Sequence, residues 1–386
     1  MIRRGIIIPA LATGILMSVV SCSPFMLRQY FPGTKDTTTV RVLILKTGNR
    51  FTVSSGADIV ISGANTDIKR SFHGSTAEFT PASISKRIVV KSANRPLCLN
   101  GKPYRGIFEL HNKNGIAFII NIIKIDEYLL GVVPCEIPSG WDMEALKAQA
   151  VAARTYAYYH LMTKAKKGTL YDLDATTNSQ VYRGISDEKD RTTEAVVATS
   201  GEIISYNSMP ILSYFHSTCG GKTIDDKYVW PRNNLKYLKG ISCGFCEEST
   251  KYKWKSKLSL EEIHDCLSKK NANVGKIKNI RFKRKNDRVT DVVVRHTGGI
   301  ITISGNNFRL LFPPEKMRSL YFTSKKIDRS IVLDGHGWGH GVGMCQWGAR
   351  GMALRGYKYR DIITHYYSGV KISDIRTISL VHKMKD

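Results

Sequence analysis

The stretch that decides the fold of this chain spans residues 127–157 and reads EYLLGVVPCEIPSGWDMEALKAQAVAARTYA. Its second half predicts a helix, because apolar side chains recur there at helical spacing. These residues are Met143, Leu146, Ala150, Ala153, Ala157 and Leu161. Asp142 stands where a helix N-cap is expected. In the first half, a strand is predicted to end near Ile125, and a loop with Pro134 and Pro138 is predicted to carry Glu136.

Outward from this helix, short β-type segments separated by Gly, Asn and Ser dominate the pattern. The predicted strands cover residues 41–45, 51–54, 58–62, 87–91, 106–111, 116–123, 201–206, 211–216, 289–295 and 299–304. The last part of the chain combines a glycine-rich loop, residues 336–343, with predicted helices at 346–354 and 359–367. The fold class is therefore α+β: a β-rich single large domain with one long motif-bearing helix and C-terminal helices.

The N-terminal residues resemble an export signal. Arg3 and Arg4 precede an apolar run over residues 5–20, and the sequence VVSC that ends at Cys22 resembles a lipobox, whose cysteine is lipidated. A plain cleaved signal and a retained anchor are the alternatives. We predict a signal at 1–22, a tether at 23–39, one domain at 40–375 (a β-rich part, 40–123, and a catalytic core, 124–375) and a tail at 376–386. The expected location is the periplasmic side of a membrane in the cell envelope.

The charge of the chain predicts a polyanionic partner. Lys and Arg number 58 against 32 Asp and Glu, which gives a formal net charge of +26. Export argues against nucleic acid, so an anionic envelope polymer is the expected partner.

Glu136 is the candidate catalytic acid. An apolar setting between Cys135 and Ile137 can raise the pKa of a carboxyl group and keep its proton available for donation. Lys147 and Arg154 are seven residues apart and share a helix face, which would place two cations beside the acid. The alternative is a solvated basic helix face and a glutamate in an ordinary ion pair.

Further motifs extend the pattern of residues 127–157 along the chain. They are YRG at 104–106, QVYRG at 180–184, FHSTCGGKT at 215–223, GHGWGHGVGMCQWGARGMA at 335–353 and HYYSG at 365–369. Together they resemble the stage II sporulation protein D family, which shares its domain with the amidase-enhancer proteins. The motifs occur in the family's order and span most of the chain after residue 40.

The resemblance implies a peptidoglycan lytic transglycosylase that cleaves glycan strands stripped of their stem peptides, in cell division or envelope remodelling. It implies that Glu136 is catalytic and that Lys147, Arg154 and Tyr182 are functional. We also expect the substrate cleft, near residues 136–154, to be lined by other motif residues, with loop packing as the alternative role. These residues are Gln180, His216, His336 and His340.

Two other functions stay open. A non-catalytic relative would bind glycan and enhance an N-acetylmuramoyl-L-alanine amidase, and a structural envelope protein would do neither. The expected partners are stripped glycan strands, the membrane, an amidase and septal division proteins.

No cofactor is predicted. The family often carries a zinc-associated Cys/His pattern just before Gln180, where this chain has Asp174, Asn178 and Ser179 instead. A zinc site at Cys219, Cys243 and Cys246, with His216 nearby, is the alternative. An exported CxxC pair can equally form a disulfide or stay as free thiols.

Overall fold

The computed structural model describes residues 38–63, 66–72, 76–165, 168–270 and 274–378. The predicted signal and lipobox, with Cys22, lie outside these residues, as do most of the tether and the end of the tail. Among the described helices, none combines the length and the apolar character that a membrane crossing requires.

Strands and helices are numbered along the chain. The strands before the first helix are β1 (Thr39–Thr47), β2 (Phe51–Ser55), β3 (Ile59–Gly63), β4 (Thr66–Phe72), β5 (Ala77–Phe79), β6 (Ile88–Ser92), β7 (Leu97–Leu99), β8 (Lys102–Tyr104), β9 (Ile107–Lys113) and β10 (Ile116–Lys124). The later strands are β11 (Leu173–Asp174), β12 (Glu202–Tyr206), β13 (Met209–Pro210), β14 (Phe215–His216), β15 (Lys253–Ser259), β16 (Ile277–Lys285), β17 (Arg288–His296), β18 (Gly299–Ser304), β19 (Tyr321–Ile327), β20 (Ser330–His336), β21 (Met344–Cys345) and β22 (Lys371–Asp374). The helices are α1 (Ile125–Glu136), α2 (Met143–Ala165), α3 (Asp190–Ala198), α4 (Leu260–Ser268), α5 (Gly305–Arg309), α6 (Gln346–Leu354) and α7 (Tyr359–Tyr366).

The strands form several separate sheets. The first has the order β11-β1-β10-β9-β6-β3-β4, and β5-β2-β7-β8 form a second. A third sheet has the order β15-β20-β19-β17-β16, with β18 paired to β17. Smaller sheets join β13-β12-β22 and β14-β21. This mixture of sheets and helices confirms the predicted α+β class.

The β9–β10 hairpin shows how local sequence determines the first sheet. Ile116 pairs with Lys113, so Asn114 and Gly115 form the turn, with φ values of 52° and 76°. Asn and Gly tolerate this left-handed conformation, and two such residues match the twist of the flanking strands. The strands predicted at 106–111 and 116–123 are confirmed as the two strands of this hairpin.

The predicted long helix is α2, and its alanines explain its central position. Ala148, Ala150, Ala152 and Ala153 have no exposed surface. Small side chains allow close approach, and α2 contacts α1, α3, α6 and α7 as well as β12. The helix therefore packs mainly among other helices.

Two sequence predictions of local structure are wrong, and one segment with regular structure was not predicted. Glu136 does not lie in a loop, because residues 125–136 form helix α1 directly after β10. Of the strand predicted at 211–216, only Phe215–His216 pairs with another strand. The Lys/Arg-rich residues 251–288 contain β15, α4 and β16, none of which was predicted. Their exposed lysines and arginines obscure the alternating pattern.

Candidate active site

Glu136 is the last residue of α1, and a short connection leads from it to α2. The backbone leaves the helix at Ile137, which has an extended conformation (φ −140°, ψ 151°). The Glu136 side chain is half-buried. One carboxylate oxygen, Oε1, accepts a hydrogen bond of 3.1 Å from the backbone N–H of Val181. The carboxyl group therefore keeps some contact with solvent while the protein fixes its orientation.

The surroundings of Glu136 favour its protonated form. Burial raises the pKa of Glu136 from 4.5 to about 7, and the amide of Val181 partly opposes this. The position at the C-terminus of α1 acts in the same direction as burial, because the helix dipole places partial negative charge there. A carboxyl group with a pKa near neutrality can donate a proton and then accept one.

The segment beside Glu136 is held against α1 by close backbone contact. A Cβ atom at Gly131 would lie 2.7 Å from the carbonyl oxygen of Gly184 and 2.8 Å from the ring of Tyr182. A side chain at position 131 would therefore push the segment around residues 180–184 away from the helix. With it would move the Val181 amide that binds Glu136.

Gln180 and Tyr182, which flank Val181, are buried and hydrogen-bonded within the protein. Gln180 Nε2 donates to the carbonyl oxygen of Ala153 at 3.3 Å. The Tyr182 hydroxyl donates to Asn121 Oδ1 at 3.1 Å. Both side chains are enclosed by protein, and their predicted contact with substrate stays a prediction. Their geometry fixes the Val181 amide between them.

Arg154 is also enclosed, and its side chain has no exposed surface. Its Nε lies 2.6 Å from Asp126 Oδ1. The other guanidinium nitrogens donate to the carbonyl oxygens of Val196 and Glu202, at 3.0 and 3.2 Å, and to Thr199 Oγ1 at 3.4 Å. These partners occupy the guanidinium, and the binding of a glycan carboxylate by Arg154 stays a prediction. It connects α1, α2, α3 and the start of β12.

Lys147 is partly exposed and faces α7. Its Nζ pairs with Glu144 Oε1 at 3.1 Å and lies 5.9 Å from the ring centre of Tyr359. Glu144 Oε2 accepts a hydrogen bond of 2.8 Å from the backbone of Tyr359. Substrate binding by Lys147 stays a prediction. Of the two cations expected beside Glu136, Lys147 is partly exposed and Arg154 is buried.

A cluster of neighbouring aromatic residues was missed by sequence reasoning. Burial is the main cause of the raised pKa of Tyr156, a member of this cluster. The Tyr156 ring lies 6.2 Å from that of Tyr214, and Tyr214 stacks on Trp230 at 4.4 Å. Tyr214 and Trp230 are partly exposed, as expected of rings that can stack on sugars. No motif distinguishes them from core aromatics in the sequence.

His216 and His340 pack together, with ring centres 5.3 Å apart. His340 Nδ1 accepts from the Val342 amide at 3.1 Å, so its Nε2, 2.9 Å from the Phe215 carbonyl oxygen, carries the proton. His216 Nδ1 donates to the Val342 carbonyl oxygen at 3.1 Å. Burial lowers the pKa of His216 to about 3 and that of His340 as well, so both rings are neutral. They hold the glycine-rich loop against β14. This contact corresponds to the loop-packing role, which was the alternative to lining the substrate cleft.

His336 lies elsewhere. It lines a groove of about 860 Å³ whose walls come from β15, β16, β19 and β20 and include Lys253, Lys255 and Arg284. Glu136 is not among the residues of this groove. The part in substrate binding predicted for His336 stays a prediction.

The residues at the position of the family's zinc pattern do not fit that metal. Asp174 Oδ1 accepts a hydrogen bond from the Thr176 amide at 3.0 Å, and Oδ2 lies 3.4 Å from Ser179 Oγ. The Asp174 carboxylate is thus hydrogen-bonded within its own loop, and hydroxyl and amide groups are poor ligands for zinc.

The cysteines give a different result. Cys219, Cys243 and Cys246 lie close together, and Cys345, which sequence reasoning had not included, lies with them.

Comparisons with known proteins agree on the family. Residues 113–206 match the profile of a family described as Stage II sporulation protein, and residues 227–343 match a domain of unknown function (DUF8618). An uncharacterized protein of Brachyspira hyodysenteriae is 36% identical over 298 residues, which cover 77% of this chain and 79% of that protein. Stage II sporulation protein D of Bacillus subtilis is 32% identical over 269 residues, 65% of this chain and 75% of that protein.

A third relative carries a different name. The amidase enhancer of Bacillus subtilis is 29% identical over 331 residues, which cover 73% of this chain and 46% of that protein. The identity to stage II sporulation protein D, over three quarters of its length, decides the assignment. This chain belongs to the stage II sporulation protein D family.

Proposed function

We propose that this protein is an exported peptidoglycan lytic transglycosylase that cleaves peptide-stripped glycan strands during cell division or envelope remodelling. The observation that carries the proposal is the carboxyl group of Glu136: partly exposed, fixed by one amide, and with its pKa raised to about 7. The family and the name of the amidase enhancer support a role at the cell wall.

One carboxyl group is sufficient for this reaction. Glu136 donates its proton to the oxygen that bridges C1 of N-acetylmuramic acid and the next sugar, and the C1–O bond breaks. The Glu136 carboxylate then takes the proton from the C6 hydroxyl of the same sugar, whose oxygen bonds to C1. The products are a 1,6-anhydro end and a free hydroxyl, and Glu136 is protonated again. Hydrolysis would normally need a second carboxyl group to activate water.

Exposed aromatic rings and the charge of the chain suit a sugar polymer. Tyr214 and Trp230 offer partly exposed rings, and the basic excess of the chain complements the lactyl carboxylates of a stripped strand.

We further propose that Cys22 is lipidated and holds the protein to the periplasmic side of a membrane. Loss of an acyl label in Cys22→Ser is the expected result, and an unlabelled native protein would contradict it.

The test is to incubate the purified domain with amidase-treated peptidoglycan and to identify the products by mass. We expect 1,6-anhydro ends from the native protein and none from Glu136→Gln, because general acid–base catalysis contributes roughly 10²–10⁴-fold. Glu194→Gln is the matched control: it removes the same charge from an exposed position on α3 and should keep full activity.

Two other outcomes would replace the proposal. Reducing ends in place of anhydro ends would identify a hydrolase, which needs a second carboxyl group. Strand binding without cleavage, together with faster release of stem peptides by an added amidase, would identify a non-catalytic enhancer. The similarity to the amidase enhancer is the reason for including this second assay.

A further inference from the structure

Four cysteine sulfurs meet in the core of the protein, and they come from three separate segments of the chain. Cys219 follows β14, Cys243 and Cys246 form a CxxC turn, and Cys345 ends β21. All four side chains are buried, and their Sγ atoms lie within 4.8 Å of one another. We propose that these four residues bind one Zn²⁺ ion as tetrahedral thiolate ligands.

The spacing of the sulfurs fits this metal. Zn–S bonds of about 2.3 Å in a tetrahedron place sulfurs roughly 3.8 Å apart. In the structure, Cys219 Sγ and Cys246 Sγ are 3.5 Å apart, and the upper limit for the group is 4.8 Å. All four cysteines are free, and 3.5 Å is well beyond the S–S bond length of about 2.05 Å. Binding would require only small movements.

Polar groups surround two of the four sulfurs, those of Cys345 and Cys243. The amides of Cys219 and Gly348 point at Cys345 Sγ, at 3.2 and 3.3 Å. The Gly348 amide belongs to the first turn of α6, whose N-terminus stabilises negative charge. The hydroxyl of Tyr366 lies 3.0 Å from Cys243 Sγ. Donors of this kind are the usual outer contacts of metal-bound ligands.

Arg288 supplies a charge argument that is independent of the sulfur geometry. Its side chain is buried, and it donates to the carbonyl oxygens of Cys219 and Lys222, at 2.7 and 2.5 Å. No ion pair joins Arg288 to a carboxylate of the described residues. A buried cation needs a counter-charge. Zn²⁺ with four thiolates carries a net charge of −2 and would provide it beside the Cys219 carbonyl group.

Glycines give this cluster the space it occupies. A Cβ atom at Gly348 would lie 2.7 Å from Cys243 Sγ, and one at Gly341 would lie 2.7 Å from the Arg288 guanidinium.

The metal would join β14, the CxxC turn and α6. Trp347 of α6 packs on Trp141 at 5.2 Å, in the connection that follows Glu136. The site would thus stabilise the frame of the candidate active site without taking part in its chemistry.

The first test measures metal in the native protein, purified without chelators or reducing agents. We expect one zinc ion per chain by elemental analysis and four thiols protected from alkylation until the metal is removed. Replacement by Co²⁺ should give the intense visible bands of a tetrahedral thiolate site. Removal of the metal should lower Tm. Less than a tenth of a zinc ion per chain, with an intact mass that shows two disulfide bonds among these cysteines, would overturn the proposal.

Variants locate the site. Cys246→Ser should lower zinc content and weaken the Co²⁺ bands at least tenfold, whereas Cys98→Ser, on β7 and outside the cluster, should leave both unchanged. Equal loss in the two variants would show that the metal binds elsewhere. If Cys246→Ser does not fold, the measurements on the native protein still decide. Glu136→Gln should keep its zinc, so failure of the proposed activity and failure of this site are distinguishable.

Discussion

Glu136 and Arg154 belong to one motif, yet the protein treats their charges in opposite ways. Glu136 is at the open end of α1 with a single backbone donor. Arg154 lies in the interior of α2, where a carboxylate, two carbonyl groups and a hydroxyl surround its guanidinium. The charge of Arg154 is thus fully compensated, and that of Glu136 is not. A motif therefore does not assign chemistry to each of its members; the number of partners distinguishes a reactive group from a structural one.

The largest effect on stability should follow from Arg154→Met, which removes the charge and keeps much of the volume. Asp126 would lose its partner at 2.6 Å, and breaking a buried ion pair costs about 3–5 kcal/mol. We expect this loss in the free energy of unfolding, measured by urea titration. Arg183→Met, at an exposed arginine, is the control. If Arg154→Met keeps its stability but binds glycan more weakly, Arg154 is a substrate ligand.

The activity should follow the protonation of Glu136. Because burial raises its pKa to about 7, the proton donor is lost above that pH. We expect kcat/KM to fall about tenfold per pH unit beyond pH 7, measured as the rate of release of anhydro products. A profile that is flat to pH 9 would mean that another group donates the proton.

Glu136→Gln should stabilise the protein, but only at higher pH. The folded-state pKa lies above the unfolded value of 4.5, so the folded protein binds more protons between pH 4.5 and 7 and loses stability as pH rises through this window. The glutamine variant does not ionise and should gain at most about 3 kcal/mol over the native protein at pH 8. Thermal unfolding at pH 4 and pH 8 measures the difference. A gain that is equal at both pH values would exclude ionisation as its cause.

The smallest effect is expected from Tyr182→Phe. The change removes the hydroxyl that bonds to Asn121 Oδ1 and should cost about 1 kcal/mol, with KM unchanged. Urea titration and steady-state kinetics together make the measurement. A raised KM at full stability would instead assign Tyr182 to substrate binding.

Sequence reasoning located the elements whose signals are local. The turn at Asn114–Gly115 and helices α2, α6 and α7 depend on conformational preference and spacing, which neighbouring residues determine. Helix α1 escaped prediction because Gly131, Pro134 and two adjacent valines argue against a helix. Tertiary packing supports the helix in spite of them.

For the site, the sequence led to Glu136 through its motif but could not show which neighbours are buried. Burial of Arg154 and Tyr182 depends on α3 and β9–β10, which are distant in the chain. The same limit applies to Cys345: a lone cysteine after a glycine-rich loop indicates nothing until the fold brings it to three others.

The close contact at Gly131 has a consequence for the tolerance of this protein to mutation. Any side chain there would meet Gly184 and Tyr182. In a library of all single substitutions selected for function, position 131 should therefore be depleted as strongly as position 136, although glycine carries no reactive group. Only the amount of protein in the cell would distinguish the two positions. Variants at position 131 should be present at very low levels, whereas Glu136→Gln should accumulate as intact, inactive protein.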